Sequence, residues 1–397
     1  MVSRRNLRSV WLTLTGTLTG LVWGVTQAYA CGLCDDPQHF ISGHLATPTS
    51  TATTDIAEPG YNLGSFNIII RPNATLSNDA AALAAFERAA TNWERYISDP
   101  ITVTIDAGFE SLGGGILGST RPRAFAYNYD FLRGQVVTDA TDEGANDTVA
   151  TRVPTSAQFS NALLPSGFSL SGGLAGTKAN LKALGITDLD ETQGDSDGII
   201  NFSTNFAFDY DNTDNMNTNL TDFETVATHE IGHLLGFISA VDTVDTSASG
   251  SISPYTLDLF RFADNVAGSD PGSLPQFMTN ARSLLTGVEA ITDDVDSEFR
   301  MSTGRNKGDG RQASHWKDGD LTAGNVIGVM DPTLAAGQVV EISAADLRAF
   351  DLIGYDINYQ PVPAPPAAIS LGIGGLVGLL GVGARKLRTR LRRDKKK

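Results

Sequence analysis

The stretch from Thr221 to Ser239 reads TDFETVATHEIGHLLGFIS, with two histidines four residues apart and a glutamate directly after the first. Residues at i and i+4 share one helix face, so the imidazoles of His229 and His233 project toward one point. Glu230 projects next to them, where a carboxylate can hold a metal-activated water. The helix has legible ends. Thr221 and Glu224 have capping-box spacing ahead of the apolar Phe223, Val226 and Ala227, and Gly236 can adopt the left-handed conformation that stops a helix. A hydrolytic zinc needs three protein ligands and one open position, yet the segment just after Gly236 offers only Ser239.

Beyond residue 60 the chain holds only three histidines: His229, His233 and His315. His315 lies in RQASHWKDG (311–319), far downstream, and a three-histidine site then requires that an insertion carried the third ligand away. The rivals are weaker by chemistry or position. Ser239 is a poor neutral donor for zinc, Asp242 needs a tight fold-back, and Glu289 and Glu298 sit in an acidic, loop-like stretch. Two further segments follow His315. GVMDPTLAAG (328–337) contains Met330, and ISAADLRAFDLIGYDI (342–357) reads as a helix with an S-x-x-D start at Ser343 and Asp346 and a stop at Gly354.

Upstream, FNIII (66–70) is an apolar run expected to be a strand. From Asn78 the residues Leu83, Phe86, Ala90, Trp93 and Ile97 step by three and four, giving an amphipathic helix that ends before Pro100. ITVTID (101–106) alternates as a strand, and GIINFSTNFAFDYD (198–211) reads as one long strand or a strand pair. Strands and helices in this order, with 41% hydrophobic residues in 397, indicate an α+β fold large enough for one substantial core or two lobes.

HEIGHLLGF, a long insertion, SHW, VMDP and a closing helix together resemble the leishmanolysin-like metzincins. They are more similar still to secreted bacterial metalloproteases that carry a PEP-CTERM sorting signal. The likeness covers most of residues 61–358. It implies a metzincin-type zincin with a mixed sheet and active-site helix in an N-terminal catalytic lobe (61–236). An insertion (237–314) and a C-terminal lobe (315–358) follow. Carried over by residue, His229, His233 and His315 bind Zn2+, Glu230 is the general base, and Met330 is the methionine of the Met-turn. The implied activity is internal cleavage of peptide or protein substrates. At the position where some metzincins place a tyrosine, two residues after that methionine, this chain has Pro332. Two other classes are weighed beside it: a non-proteolytic zinc amide hydrolase acting on cell wall, and an inactive surface adhesin of the same fold. The intact ligand set and base argue against the adhesin.

The termini bear on location. Arg4, Arg5 and Arg8, an apolar run from Val10 to Val25, and Ala28-Tyr29-Ala30 form a signal peptide over residues 1–30. Residues 31–60 are a pro-segment or linker. At the other end, the Pro-rich linker 359–368 leads into an apolar segment, Ile369–Ala384. Its 16 residues fall short of the roughly 20 that span a bilayer. The tail 385–397 carries nine Lys or Arg and is expected to stay cytoplasmic. This layout resembles a PEP-CTERM signal, with Pro363-Ala364-Pro365 in place of the usual Pro-Glu-Pro. The expected partners are signal peptidase and an exosortase-type sorting enzyme, with transient membrane anchoring. The expected destination is the extracellular space or envelope of a Gram-negative bacterium. With those twelve cations and Asp394 set aside, 17 basic residues face 44 acidic ones, a body charge of −27. That charge disfavours nucleic acid as a partner.

Cys31 and Cys34 are the only cysteines, so the body has no disulfide framework. They read as a local disulfide, a lipidation site, or latency thiols of the kind metzincin pro-segments place on the zinc. The acidic run DLDETQGDSDG (188–198) sets Asp188, Asp190, Asp195 and Asp197 ahead of a glycine, hard oxygen donors suited to Ca2+. A solvated acidic loop is the plainer reading.

Overall fold

A computed structural model describes residues 28–31, 66–142, 152–293 and 298–359. The signal start, Cys34, most of the linker and the whole sorting segment lie outside the described residues. No helix among those described is long and apolar enough to cross a membrane.

The elements that position the site are β1 (Ala28–Cys31), β2 (Asn67–Pro72), α1 (Ala80–Glu94), β3 (Thr102–Glu110), β4 (Ile116–Pro122), β5 (Gly198–Ser203) and α2 (Phe223–Leu235). After them come α3 (Val241–Thr246), β6 (Arg261–Ala263), β7 (Ala290–Asp293), β8 (Glu298–Met301), β9 (Thr333–Leu334) and α4 (Ala344–Leu352). The architecture is α+β, as expected. Six strands form a mixed sheet in the order β9-β1-β4-β5-β3-β2. Within it β2, β3 and β5 run parallel, and β4 opposes β5. Along β3 the side chains of Val103, Ile105 and Ala107 alternate into the core, as a period of two requires. They meet Phe86 and Trp93 of α1 and Phe223 and Ile231 of α2 in one cluster. Phe202 of β5 sits at its centre, 5.1 Å from Phe86 and 4.5 Å from Phe223 between ring centroids.

β1 fills a one-strand slot. It pairs parallel to β4, with Cys31 opposite Gly118, and antiparallel to β9. The signal-peptidase cut expected after Ala30 falls inside this strand.

The ends of α2 differ in part from the sequence expectation. The N-cap is Asp222, whose carboxylate accepts the Thr225 N–H (3.0 Å) and hydroxyl (2.6 Å). Thr221 instead pairs in a short parallel ladder with Phe208, so GIINFSTNFAFDYD splits into β5 and a strand of a different sheet. Glu224 reaches across to Arg88 (2.9 Å) and Asn92 (2.8 Å) of α1, because the tie between the helices outcompetes a box with Thr221. The stop stands as expected: Gly236 has φ +130°, and Tyr355 Oη donates to the Leu235 carbonyl at 2.7 Å. Trp93 Nε1 donates to Thr228 O at 2.9 Å, fastening α1 to α2.

The insertion is a platform. β6, β7 and β8 form an antiparallel sheet, and the returning chain adds itself to β8. Ser302 N donates to His315 O (3.0 Å) and Lys317 N to Arg300 O (2.9 Å). His315 is thereby delivered on the margin of a sheet that the insertion itself builds.

Replacing Asp222 by Ala removes the cap and strands buried donors, so unfolding stability should fall by about 1–2 kcal/mol. Asp222→Asn, which keeps an acceptor oxygen, should lose less. Urea midpoints of the two variants check this; an Asp222→Ala midpoint equal to the parent's would contradict the assigned cap.

Candidate metal centre

The three histidines found by sequence meet. Their Nε2 atoms lie 3.0 Å (His229–His233), 3.1 Å (His233–His315) and 3.2 Å (His229–His315) apart, and all three residues are buried. Each Nδ1 faces a backbone carbonyl: His229 with Val329 O (2.7 Å), His233 with Phe237 O (2.9 Å), His315 with Gln312 O (3.2 Å). A carbonyl can only accept, so each ring carries its proton on Nδ1 and turns a bare Nε2 lone pair inward. Three lone pairs at such separations repel unless a cation lies among them. The donor set therefore fits a metal ion. Burial lowers all three imidazole pKa values, His233 to about 4 and the other two well below the usual histidine value, which keeps the rings neutral.

Each ligand is held from behind. Val329, whose carbonyl orients His229, donates its own N–H to Asp346 Oδ2 (2.8 Å). Asp346 Oδ1 takes the indole N–H of Trp316 (2.7 Å), the residue after His315. On the other side, Asp242 of α3 accepts the N–H groups of Ala313 and Ser314 and the Ser314 hydroxyl. Ser239 N donates to that same hydroxyl (2.9 Å), and Ser239 Oγ donates to Asp258 (2.6 Å). The two rival ligands are thus engaged in seating the segment that ends in His315. Glu289 pairs with Lys317 at 2.8 Å, and Glu298 lies exposed at the start of β8.

Glu230 is fully buried, and burial pushes its carboxyl well above the usual range while a hydrogen bond from Thr120 pulls the other way. Oε2 accepts that bond at 2.7 Å; Oε1 has no protein partner. Met330 is also buried, and its sulfur lies against the helix at Gly232. A Cβ at Gly232 would stand 2.4 Å from Sδ. Glycine inside the H-E-x-G-H turn is what lets the methionine approach. A small pocket opens beside His229, lined by Thr225, Val226, Val329, Leu334 and Val340 among others. It is made by α2 and the 329–340 segment, not by the insertion.

The expected calcium loop is an ion-pair network. Asp190 faces Lys178 (2.6 Å) and Lys182, Asp195 faces Arg71 (2.7 Å), and Asp197 holds Lys182 (2.8 Å) and the Thr104 N–H. Asp188 is a left-handed N-cap residue whose side chain makes no capping bond. Lysine and arginine supply the positive charge that calcium was expected to bring. Among the described residues the histidine trio is the only cluster with metal-ligand spacing. Cys31 is placed by backbone alone, opposite Gly118; Cys34 lies outside the described residues.

Sequence reading missed Thr120 and Gly118 as parts of the site, weighed Asp242 only as a rival ligand, and saw Asp346 only as a helix cap. Nothing in their local sequence gives these roles away, since Glu230 lies 110 positions from Thr120, Ser314 72 from Asp242 and Trp316 30 from Asp346. No protein-family model, no curated protein and no solved structure matches this chain.

Because the imidazoles are neutral well below the ordinary histidine value, protons do not compete with a metal near neutral pH. Metal content should hold from pH 8 through 6.5 and fall only as pH approaches the folded-state value of about 4. Equilibrium dialysis with elemental analysis reads this; half-loss near pH 6.5 would show freely titrating imidazoles.

Proposed function

We propose that the protein is a zinc-dependent metalloendopeptidase of the metzincin type. The observation that carries the reading is the pairing of three convergent imidazole lone pairs with a buried glutamate oxygen that lacks a protein partner, all from one helix and the segment returning from the insertion. A tetrahedral ion with Zn–N bonds of 2.0–2.1 Å requires N···N distances of about 3.3 Å, close to the 3.0–3.2 Å seen here. An all-imidazole donor set suits zinc among the divalent ions that imidazole binds.

Zinc held by three neutral ligands lowers the pKa of a water to about 7 and polarises a carbonyl. The chain's own residues do the rest. His229, His233 and His315 hold their Nε2 atoms in place through the carbonyls behind them. Glu230 takes the water's proton on its free Oε1 as the scissile carbonyl is attacked, then delivers it to the leaving amine. The buried surroundings exclude bulk water and strengthen these electrostatic interactions. Met330 packs the floor.

A peptide rather than a small amide is favoured by β1. The margin of β4 beside Glu230 accepts an extended backbone, and β9 closes on its other side, the arrangement by which sheets bind extended peptides. Export, signal-peptidase processing and removal of the C-terminal segment belong to the same proposal, on the sequence signals alone.

Glu230→Gln should retain one zinc per chain while peptide hydrolysis drops by at least about 100-fold. His315→Ala should lose the metal itself, because two imidazoles remain. Elemental analysis and digestion of a peptide library beside purified peptidoglycan check both. Cleavage of peptidoglycan but not of peptides would turn the reading to the cell-wall hydrolase.

A further inference from the structure

Glu230 is seated by two residues of β4. Thr120, fully buried, places Oγ1 2.7 Å from Glu230 Oε2 and 2.9 Å from Glu230 O. When the carboxylate is ionised, as a base must be, the single hydroxyl hydrogen of Thr120 goes to Oε2, where a charge-assisted bond is stronger than one to a neutral carbonyl. Two positions earlier, and therefore on the same face of the strand, Gly118 leaves room for the carboxylate. A Cβ at that position would stand 2.5 Å from Oε1 and 2.8 Å from Cγ. The height of both residues is set by the antiparallel register with β5, Gly118 opposite Phe202 and Thr120 opposite Ile200. β-Branching restricts the Thr120 rotamer, so the hydroxyl is aimed before any substrate arrives.

We propose that Thr120 is a positioning residue for Glu230, anchoring Oε2 so that the unpartnered Oε1 is the one presented to the reacting water, with Gly118 as the space that the carboxylate occupies. The inference rests on the assignment of Glu230 as the base. Without the hydroxyl the two oxygens become interchangeable, and the side chain can rotate away from the geometry that proton transfer needs. Metal binding is left intact, since the imidazoles of His229, His233 and His315 are all oriented by carbonyls elsewhere.

The test compares the zinc-loaded parent with Thr120→Val, Thr120→Ser and Glu230→Gln, reading zinc content, melting temperature, kcat and KM on one peptide substrate. Val is nearly isosteric and lacks the donor. Thr120→Val should keep its zinc and lose kcat by about 10- to 100-fold, with KM within about twofold; Thr120→Ser should recover most of the rate. A Thr120→Val enzyme with the parent's kcat overturns the proposal. So does a Ser variant as slow as Val, which would mark a packing role for the lost methyl. If Val does not fold, Thr120→Ala is read in the same way against Ser. A parent that cleaves no peptide, or a Glu230→Gln enzyme as fast as the parent, would instead sink the functional assignment on which the inference stands.

Discussion

The carboxylate of Asp346 is the contact on which the site depends. It is fully buried, and burial pushes its pKa up while its hydrogen bonds pull it down. It accepts from Val329 N, Met330 N, Ser343 N and Trp316 Nε1 at 2.8, 3.3, 2.8 and 2.7 Å. A buried carboxylate without such donors is strongly disfavoured, so the arrangement holds as a unit. Through it the start of α4, the Met330 turn and the residue next to His315 share one anchor. Gly328 belongs to the same constraint, because a Cβ there would come within 2.2 Å of Asp346 Oδ2.

Around that anchor the three histidines are oriented by backbone carbonyls rather than by carboxylates. Every Nδ1 is bound to a carbonyl from a different segment: the Met330 turn, the end of α2, and the return from the insertion. Neutral imidazoles oriented in this way leave a bound ion its full charge, the condition that activates water most strongly. The acidic side chains nearby serve as structural acceptors instead. Asp242 and Asp258 gather backbone N–H groups at the base of the insertion, which converts a long connection into a fixed support for His315.

Much of this was legible in the sequence where the signal is local. The α2 motif, its glycine stop, the amphipathic α1 with Trp93 inward, and the Ser343–Asp346 cap all depend on residues within a turn or two of one another. Misreadings arose where a local pattern met a distant competitor. Glu224 had capping-box spacing but found Arg88 and Asn92 on α1. The four aspartates of the 188–198 run had the composition of a calcium loop, yet Lys178, Lys182 and Arg71 were brought against Asp190, Asp195 and Asp197 by the sheet and its neighbouring helix.

The sequence by itself determined the chemistry available: three histidines in the body, a glutamate beside the first, and a helical spacing that aims two imidazoles one way. Elimination alone pointed to His315, since no other imidazole remained. Only the tertiary structure decided where the third lone pair goes, because that required the insertion to form its own sheet and hand the chain back beside β8. It also decided which residues seat Glu230. Gly118 and Thr120 are unremarkable in a strand read alone, and become parts of a site only when β4 is pressed against α2 by a core buried on both.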